Sequence, residues 1–267
     1  MKLQGSIVAL ITPFYEDGTV NFERLGEILD WHIAQGTDGI LVLGTTGESS
    51  TMSHEEDDAV CRFTIDRVAG RVSVIAGSGS NSTETQLEKS KKYAAMGADA
   101  LLCITPYYIK ANAEGMYRHF ADVADAVDVP VILYNVPGRT GCSIPVETVA
   151  RLARHPNICG IKEASGDISY AVKIARYLSD DFQMFCGNDD ITLPLLSLGA
   201  SGVISVWANI MPAACHRMVT DYLEGRREQA LKAQLKYLDL INGLFMEVNP
   251  ITVKQAMNRM GMEVGRY

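Results

Sequence analysis

Apolar residues gather along the chain in eight short runs, at 7–11, 39–43, 72–76, 100–104, 129–134, 158–162, 182–186 and 202–206. The runs recur at intervals of roughly twenty to thirty residues, the spacing of strand–helix units. Most are nearly continuous in apolar character rather than alternating, which is the pattern of parallel strands buried on both faces. Amphipathic stretches lie between them. Residues 22–34 place Leu25, Ile28, Leu29 and His32 on one side; 54–68, 83–96, 115–126, 145–154, 168–178, 191–198 and 212–223 follow. Ser53 and Glu56 form a capping-box pattern before the second of these, and Gly97 supplies a stop for the third. Pro145 and Pro212 suit first helical positions.

Eight such units predict an α/β chain folded as a (β/α)8 TIM barrel over residues 1–224. Residues 225–267 carry two more helical stretches, 226–246 and 251–259, with no strand signal between them, and are read as a C-terminal helical appendage. The competing architecture, an open doubly wound sheet, wants a glycine-rich phosphate turn after its first strand. Ile11-Thr12-Pro13-Phe14 offers none.

Composition narrows the function. The 267 residues are 47% hydrophobic and 21% charged, with a formal net charge of −8. An acidic chain without a long Lys/Arg run argues against nucleic-acid binding, though not against a local cationic pocket for a small anion. No apolar stretch is long enough to span a bilayer, and Met1-Lys2-Leu3-Gln4-Gly5 does not open a signal peptide. The six cysteines, Cys61, Cys103, Cys142, Cys159, Cys186 and Cys215, make no CxxC pair or zinc-ligand spacing. They are read as reduced, structural residues of a cytoplasmic protein.

In a barrel the chemistry sits where strands end at their carboxyl termini. The second run ends Gly44-Thr45-Thr46-Gly47-Glu48, whose hydroxyls and backbone N–H groups either grip a carboxylate or cap the next element. The third leads through 76–83, including Asn81, into the next helix; its glycines are not followed by a phosphate-loop lysine. The fourth ends Thr105-Pro106-Tyr107-Tyr108, and adjacent tyrosines cannot easily share a face, so one is expected to point away from its own barrel mouth. Tyr134 closes the fifth, ahead of Arg139 in a turn bracketed by proline and glycine. Tyr134 is a rim aromatic or a functional phenol; Arg139 is a surface ion-pair partner or a fork for a carboxylate. The sixth ends at Lys162-Glu163, a snorkelling cation or a nucleophile. The seventh reaches Gly187-Asn188-Asp189-Asp190, with the aspartates read as helix N-caps rather than metal ligands. Gly202-Val203-Ile204-Ser205 makes the eighth.

These ends supply a lysine, tyrosines, threonines and an arginine, without a metal set, a Ser-His-Asp arrangement or a dinucleotide fingerprint. The combination suits carbonyl chemistry through an imine. An amine attacks a ketone only when neutral, whereas an ordinary lysine has a pKa of about 10.4; a dry strand end lowers such a value. A neighbouring phenol can move the protons that imine formation needs.

With GTTGE at 44–48, TPYY at 105–108, YNVPGRTG at 134–141, GIKEA at 160–164 and GVIS at 202–205, the chain resembles the dihydrodipicolinate synthase family. That family lies within the pyruvate-dependent class I aldolases, alongside N-acetylneuraminate lyase. The resemblance implies that Lys162 forms a covalent imine with pyruvate, without any other cofactor. It implies that Tyr134 is the proton donor and acceptor, and that Thr45 links Tyr134 to Tyr108 in a relay. Thr46 would hold the pyruvate carboxylate, Arg139 the carboxylate of L-aspartate 4-semialdehyde, and Gly187 and Ile204 would line the pocket. Tyr107 and Tyr108 would meet a partner subunit in a homotetramer built as a dimer of dimers. The product would feed diaminopimelate and lysine biosynthesis. Two departures stand out. In lysine-inhibited members an effector site carries a His-x-x-His pair; here Ser49, Ser50, His54, Asn81 and Tyr107 are compatible, but Asp57 takes the second histidine position. The acidic position is Thr85, with Glu84 one residue before, so lysine feedback is not expected. The chain also ends at Arg266-Tyr267, where the family usually runs on into further helix, so a truncated appendage is expected. A sister pyruvate aldolase is the alternative reading, and a catalytically silent barrel acting as a binding protein is the remote one.

Overall fold

In the computed structural model, which describes residues 3–266, the apolar runs become parallel strands that close into a barrel in sequence order. They are β1 (Gly5–Ala9), β2 (Gly39–Val42), β3 (Ser73–Gly77), β4 (Ala100–Ile104), β5 (Val131–Asn135), β6 (Ile158–Glu163), β7 (Gln183–Cys186) and β8 (Gly202–Ser205). Nearly all their residues are buried, as strands walled by side chains inside and helices outside must be. Met1, Lys2 and Tyr267, which carry the expectations about the two chain ends, lie outside the described residues.

The strand limits shift for local reasons. β1 starts earlier than the run at 7–11 suggests. Leu10 still donates to the Leu41 carbonyl at 2.9 Å, but the Ile11 N–H turns to the Asn209 side chain at 3.1 Å. β2 stops at Val42 because Leu43 adopts a left-handed φ of 58°. β5 starts at Val131 because Pro130 has no N–H for the ladder, although its carbonyl accepts from Leu101 at 2.9 Å.

The α-helices are α1 (Phe22–Ala34), α2 (His54–Val68), α3 (Thr83–Met96), α4 (Ala113–Ala124), α5 (Pro137–Thr140), α6 (Val146–Leu152), α7 (Ile168–Ala175), α8 (Thr192–Ser197), α9 (Pro212–Leu223), α10 (Arg227–Gly243) and α11 (Ile251–Arg259). The capping box forms: Ser53 accepts from the Glu56 N–H, and Glu56 accepts from the Ser53 N–H. Gly97 ends α3 at a φ of 99°. α4 starts two residues before its expected position because Asn112 caps it, accepting from the Gly115 N–H at 2.8 Å. Two expectations are corrected. Pro145 sits at the N-cap of α6 rather than inside the helix, since its ψ of 142° is extended. Asp189 and Asp190 do not cap a helix; they lie within a single 3-10 turn, Asp189–Ile191, that leads into α8.

The chain gathers into two compact units, one of residues 1–74 with 203–267 and the other of 75–202. In the first, α9 packs against β1 and α10 against α9, and Trp207, just after β8, meets Tyr237 of α10 with ring centroids 5.2 Å apart. His32, on the buried face of α1, has both ring nitrogens without a hydrogen-bond partner, and burial pushes its pKa down to about 3, so it packs as a neutral aromatic.

In the second unit β3 to β7 pair in order. Gly160 of β6 is required by this packing, because a methyl group there would run into the Gln183 carbonyl of β7. Gly160→Ala is expected to lower stability by about 1–3 kcal/mol through overpacking, read as a lower urea midpoint with an unchanged m-value. An unchanged midpoint would show that β6 and β7 are packed loosely. None of the six cysteines forms a disulfide, and burial pushes Cys103 and Cys159 up to about 11, where a thiol behaves as a small hydrophobe.

Candidate active site

Lys162 and Tyr134 stand one residue before the ends of neighbouring strands as direct register partners, so their side chains leave the sheet on the same face. The lysine Nζ lies 4.5 Å from the centroid of the tyrosine ring. Both side chains are withdrawn from solvent, with Lys162 6% and Tyr134 7% exposed. This places an amine and a phenol side by side at the carboxyl ends of β5 and β6.

The next residue on each strand faces the other way and props the pair from behind. Asn135 Nδ2 donates to Glu163 Oε2 at 2.7 Å, and the Ser165 N–H donates to Glu163 Oε1 at 2.7 Å. Asn135 Oδ1 accepts from the Ser143 hydroxyl at 3.2 Å and the Ile144 N–H at 3.0 Å. Burial raises the Glu163 pKa, and these donors partly offset it. Sequence reasoning passed over Asn135 and Glu163. The available signal was strand alternation: polar residues directly after Tyr134 and Lys162 must face outward and need partners there.

Gly187 follows β7, and its N–H donates to the Glu163 carbonyl at 2.7 Å. A Cβ there would stand 2.6 Å from that of Ala164, so the close approach excludes any side chain. Arg139 is exposed on α5, a helical turn with Pro137 at its start and Gly141 closing it at a φ of 70°. Tyr107 and Tyr108 lie beyond β4. Tyr108 is 86% exposed and has a left-handed φ of 73°, and Ile109 beside it is also exposed. A phenol so exposed packs against little of its own chain.

The other unit holds the Thr45–Gly47 turn directly after β2. Thr45 is half-buried and Thr46 buried. The Thr12 hydroxyl donates to the Gly47 carbonyl at 2.7 Å. Asn249 Nδ2 donates to Thr46 Oγ1 at 2.9 Å, and Lys254 Nζ donates to Glu48 Oε1 at 2.8 Å. Asn249 and Lys254 also escaped the sequence reading. Lys254 left a trace, being a charge between Val253 and Met257 on the apolar side of α11. Ile204 is buried within β8. Of the effector positions, Ser49 and Ser50 follow the turn and His54 is exposed at the start of α2, while Asp57 is buried one turn in. Asn81 and Thr85 are half-buried around the start of α3, with Glu84 exposed.

Among the described residues, no three His, Cys, Asp or Glu side chains are grouped to hold a metal ion, and no helix is long and apolar enough to cross a membrane.

A sequence profile of the Dihydrodipicolinate synthetase family matches residues 2–267. The chain belongs to that family. A 4-hydroxy-tetrahydrodipicolinate synthase of Thermoanaerobacter sp. (strain X514) is 52% identical over 263 residues, covering 98% of this chain and 88% of that protein. The chloride-inhibited dihydrodipicolinate synthase of Acinetobacter baumannii, solved in complex with pyruvate, superposes with a TM-score of 0.95 at 44% identity, covering 98% of this chain and 90% of that one. The enzyme of Cyanidioschyzon merolae, solved with lysine bound, gives a TM-score of 0.95 at 41% identity, covering 98% of this chain and 90% of that one.

Proposed function

We propose that this chain condenses pyruvate with L-aspartate 4-semialdehyde to 4-hydroxy-tetrahydrodipicolinate, through an imine on Lys162. The observation that carries the reading is the buried register pair of Lys162 and Tyr134, with amine and ring 4.5 Å apart. Lys162 Nζ attacks the ketone carbon of pyruvate, and the carbinolamine loses water to give the imine. Tyr134 donates and takes back the protons of these steps. The imine draws off electrons, a proton leaves the methyl carbon, and the resulting enamine attacks the aldehyde carbon of the second substrate. The amino group of that substrate then displaces Lys162 from the imine carbon, closing the ring and freeing the lysine. One water leaves overall.

Thr46 and its turn hold the pyruvate carboxylate, Thr45 relays protons between Tyr134 and Tyr108, and Gly187 and Ile204 line the pocket. The exposure of Tyr107, Tyr108 and Ile109 supports a tight dimer in which Tyr108 serves a partner's site, two dimers making a tetramer. Residues 1–224 form the catalytic barrel and 225–267 the appendage, and six cysteines held outside any disulfide support the cytoplasm as its compartment. With Asp57 buried in place of the second effector histidine, lysine is not expected to regulate it.

Turnover of pyruvate with aspartate semialdehyde, beside N-acetylneuraminate and a keto-deoxy sugar acid, tests the reading. Preference for either sugar acid would move the chain to a sister aldolase activity, and no turnover of any of them would leave a binding protein. Arg139→Ala is expected to raise the KM for aspartate semialdehyde by about ten- to a hundredfold, the loss of a charge-assisted contact, with pyruvate imine formation nearly unchanged. Equal loss of both would make Arg139 structural.

A further inference from the structure

The turn after β2 is gripped at two points by the segment that carries α11. We propose that Asn249 is a positioning residue that fixes the Thr46 hydroxyl as a hydrogen-bond donor toward the substrate carboxylate. The inference rests on the reading of Thr46 as the residue that holds that carboxylate.

A threonine hydroxyl has one proton to give and two lone pairs to receive with. Left alone in a buried turn, it could equally present a lone pair to the ligand, which repels an anion. Here Asn249 Nδ2 donates to Thr46 Oγ1 at 2.9 Å, and both residues are almost fully buried. One lone pair is thereby occupied by an N–H, and the hydroxyl proton must point away from Asn249. A carboxylate offers acceptors only, so the chain from amide through hydroxyl to carboxylate runs in one direction, each bond polarising the next.

The backbone of the turn is fixed as tightly as its hydroxyl. The Gly47 N–H donates to the Gly44 carbonyl at 3.0 Å and the Glu48 N–H to the Thr45 carbonyl at 3.1 Å. Glu48 then takes a left-handed φ of 60°, which aims its carboxylate at Lys254. Lys254, itself fully buried, also donates to the Arg266 carbonyl at 2.6 Å and lies 4.5 Å from the Phe14 ring centroid. Asn249 stands just before α11 and Lys254 stands on it, so one helix sets both the hydroxyl and the end of the turn. Helices beyond the barrel thus act on a residue that touches substrate without touching substrate themselves.

The test compares Asn249→Asp with Asn249→Ala, each also made together with Thr46→Val. The readouts are KM for each substrate, kcat, and the pyruvate concentration that half-saturates borohydride trapping on Lys162. An ionised Asp only accepts, so it turns the Thr46 proton inward and sets a negative charge beside the substrate anion. Asn249→Asp is expected to raise the pyruvate KM and the half-trapping concentration by about ten- to a hundredfold, the range for hydrogen bonds to a charged group. The KM for aspartate semialdehyde stays within about twofold. Asn249→Ala does less harm than Asp and adds nothing to Thr46→Val, whereas Asn249→Asp adds to Thr46→Val only the repulsion of its charge. A purely structural Asn249 predicts the opposite: lower stability, kcat reduced along with affinity for both substrates, and Ala at least as damaging as Asp. If Asn249→Asp does not fold, the cycle of Asn249→Ala with Thr46→Val decides, and additive effects overturn the proposal. Failure of the wild-type chain to trap pyruvate would sink the reading of the site itself. Trapping in the wild type with unchanged half-saturation in the Asn249 variants would sink only the positioning role.

Discussion

Lys162→Ala abolishes turnover and leaves borohydride with no site at which to fix pyruvate. The expected loss is at least about a thousandfold, or about 4 kcal/mol of transition-state stabilisation, because the covalent route vanishes with the amine. Lys162→Arg is expected to be equally inactive. It keeps a cation beside Tyr134, but a guanidinium remains protonated and does not form the imine. Charge alone therefore does not rescue the site. Peptide mapping of the reduced wild-type adduct should place the pyruvyl group on the peptide containing Lys162. An adduct on another lysine, or activity retained in the alanine variant, would remove Lys162 from the chemistry.

Tyr134→Phe separates packing from proton transfer. The ring remains over Nζ and fills the same space between β4 and β6, so the variant should fold and melt as the wild type does. Only the O–H is lost. Turnover should fall by about a hundred- to ten-thousandfold, the usual worth of a positioned general acid–base. Pyruvate trapping on Lys162 should still go to completion, but slowly. Fast trapping with slow turnover would place the role of Tyr134 after imine formation, and full activity would reduce the phenol to a rim aromatic.

Much of the barrel is legible in the sequence because its strands are buried on both faces, and continuous apolar runs leave little else for those segments to be. The ends of strands are less legible, because they are set by single events: a proline without an N–H at 130, a left-handed Leu43, an asparagine side chain that takes the Ile11 N–H. The paired aspartates at 189 and 190 misled because acidic residues before an apolar stretch read as caps, whereas here the chain winds through them as a 3-10 turn. The site divides the same way. Lys162 and Tyr134 can be found because each stops an apolar run, and the register that makes them neighbours follows once the barrel closes. The bond from Asn249 to Thr46 joins residues 203 positions apart. Periodicity shows which face of an element is buried but not which distant side chain it will meet.

The unit that holds the turn after β2 is made of two stretches of sequence, 1–74 and 203–267, whereas the unit with Lys162 and Tyr134 is one continuous stretch, 75–202. A chain emerges from the ribosome in order, so the continuous unit is complete before the divided one. The segment carrying the lysine and tyrosine is complete in synthesis before Asn249 and Lys254 exist to hold the turn made first. Thr46 waits for its Asn249 partner through most of translation, so the turn after β2 is among the last parts of its own unit to be held in place.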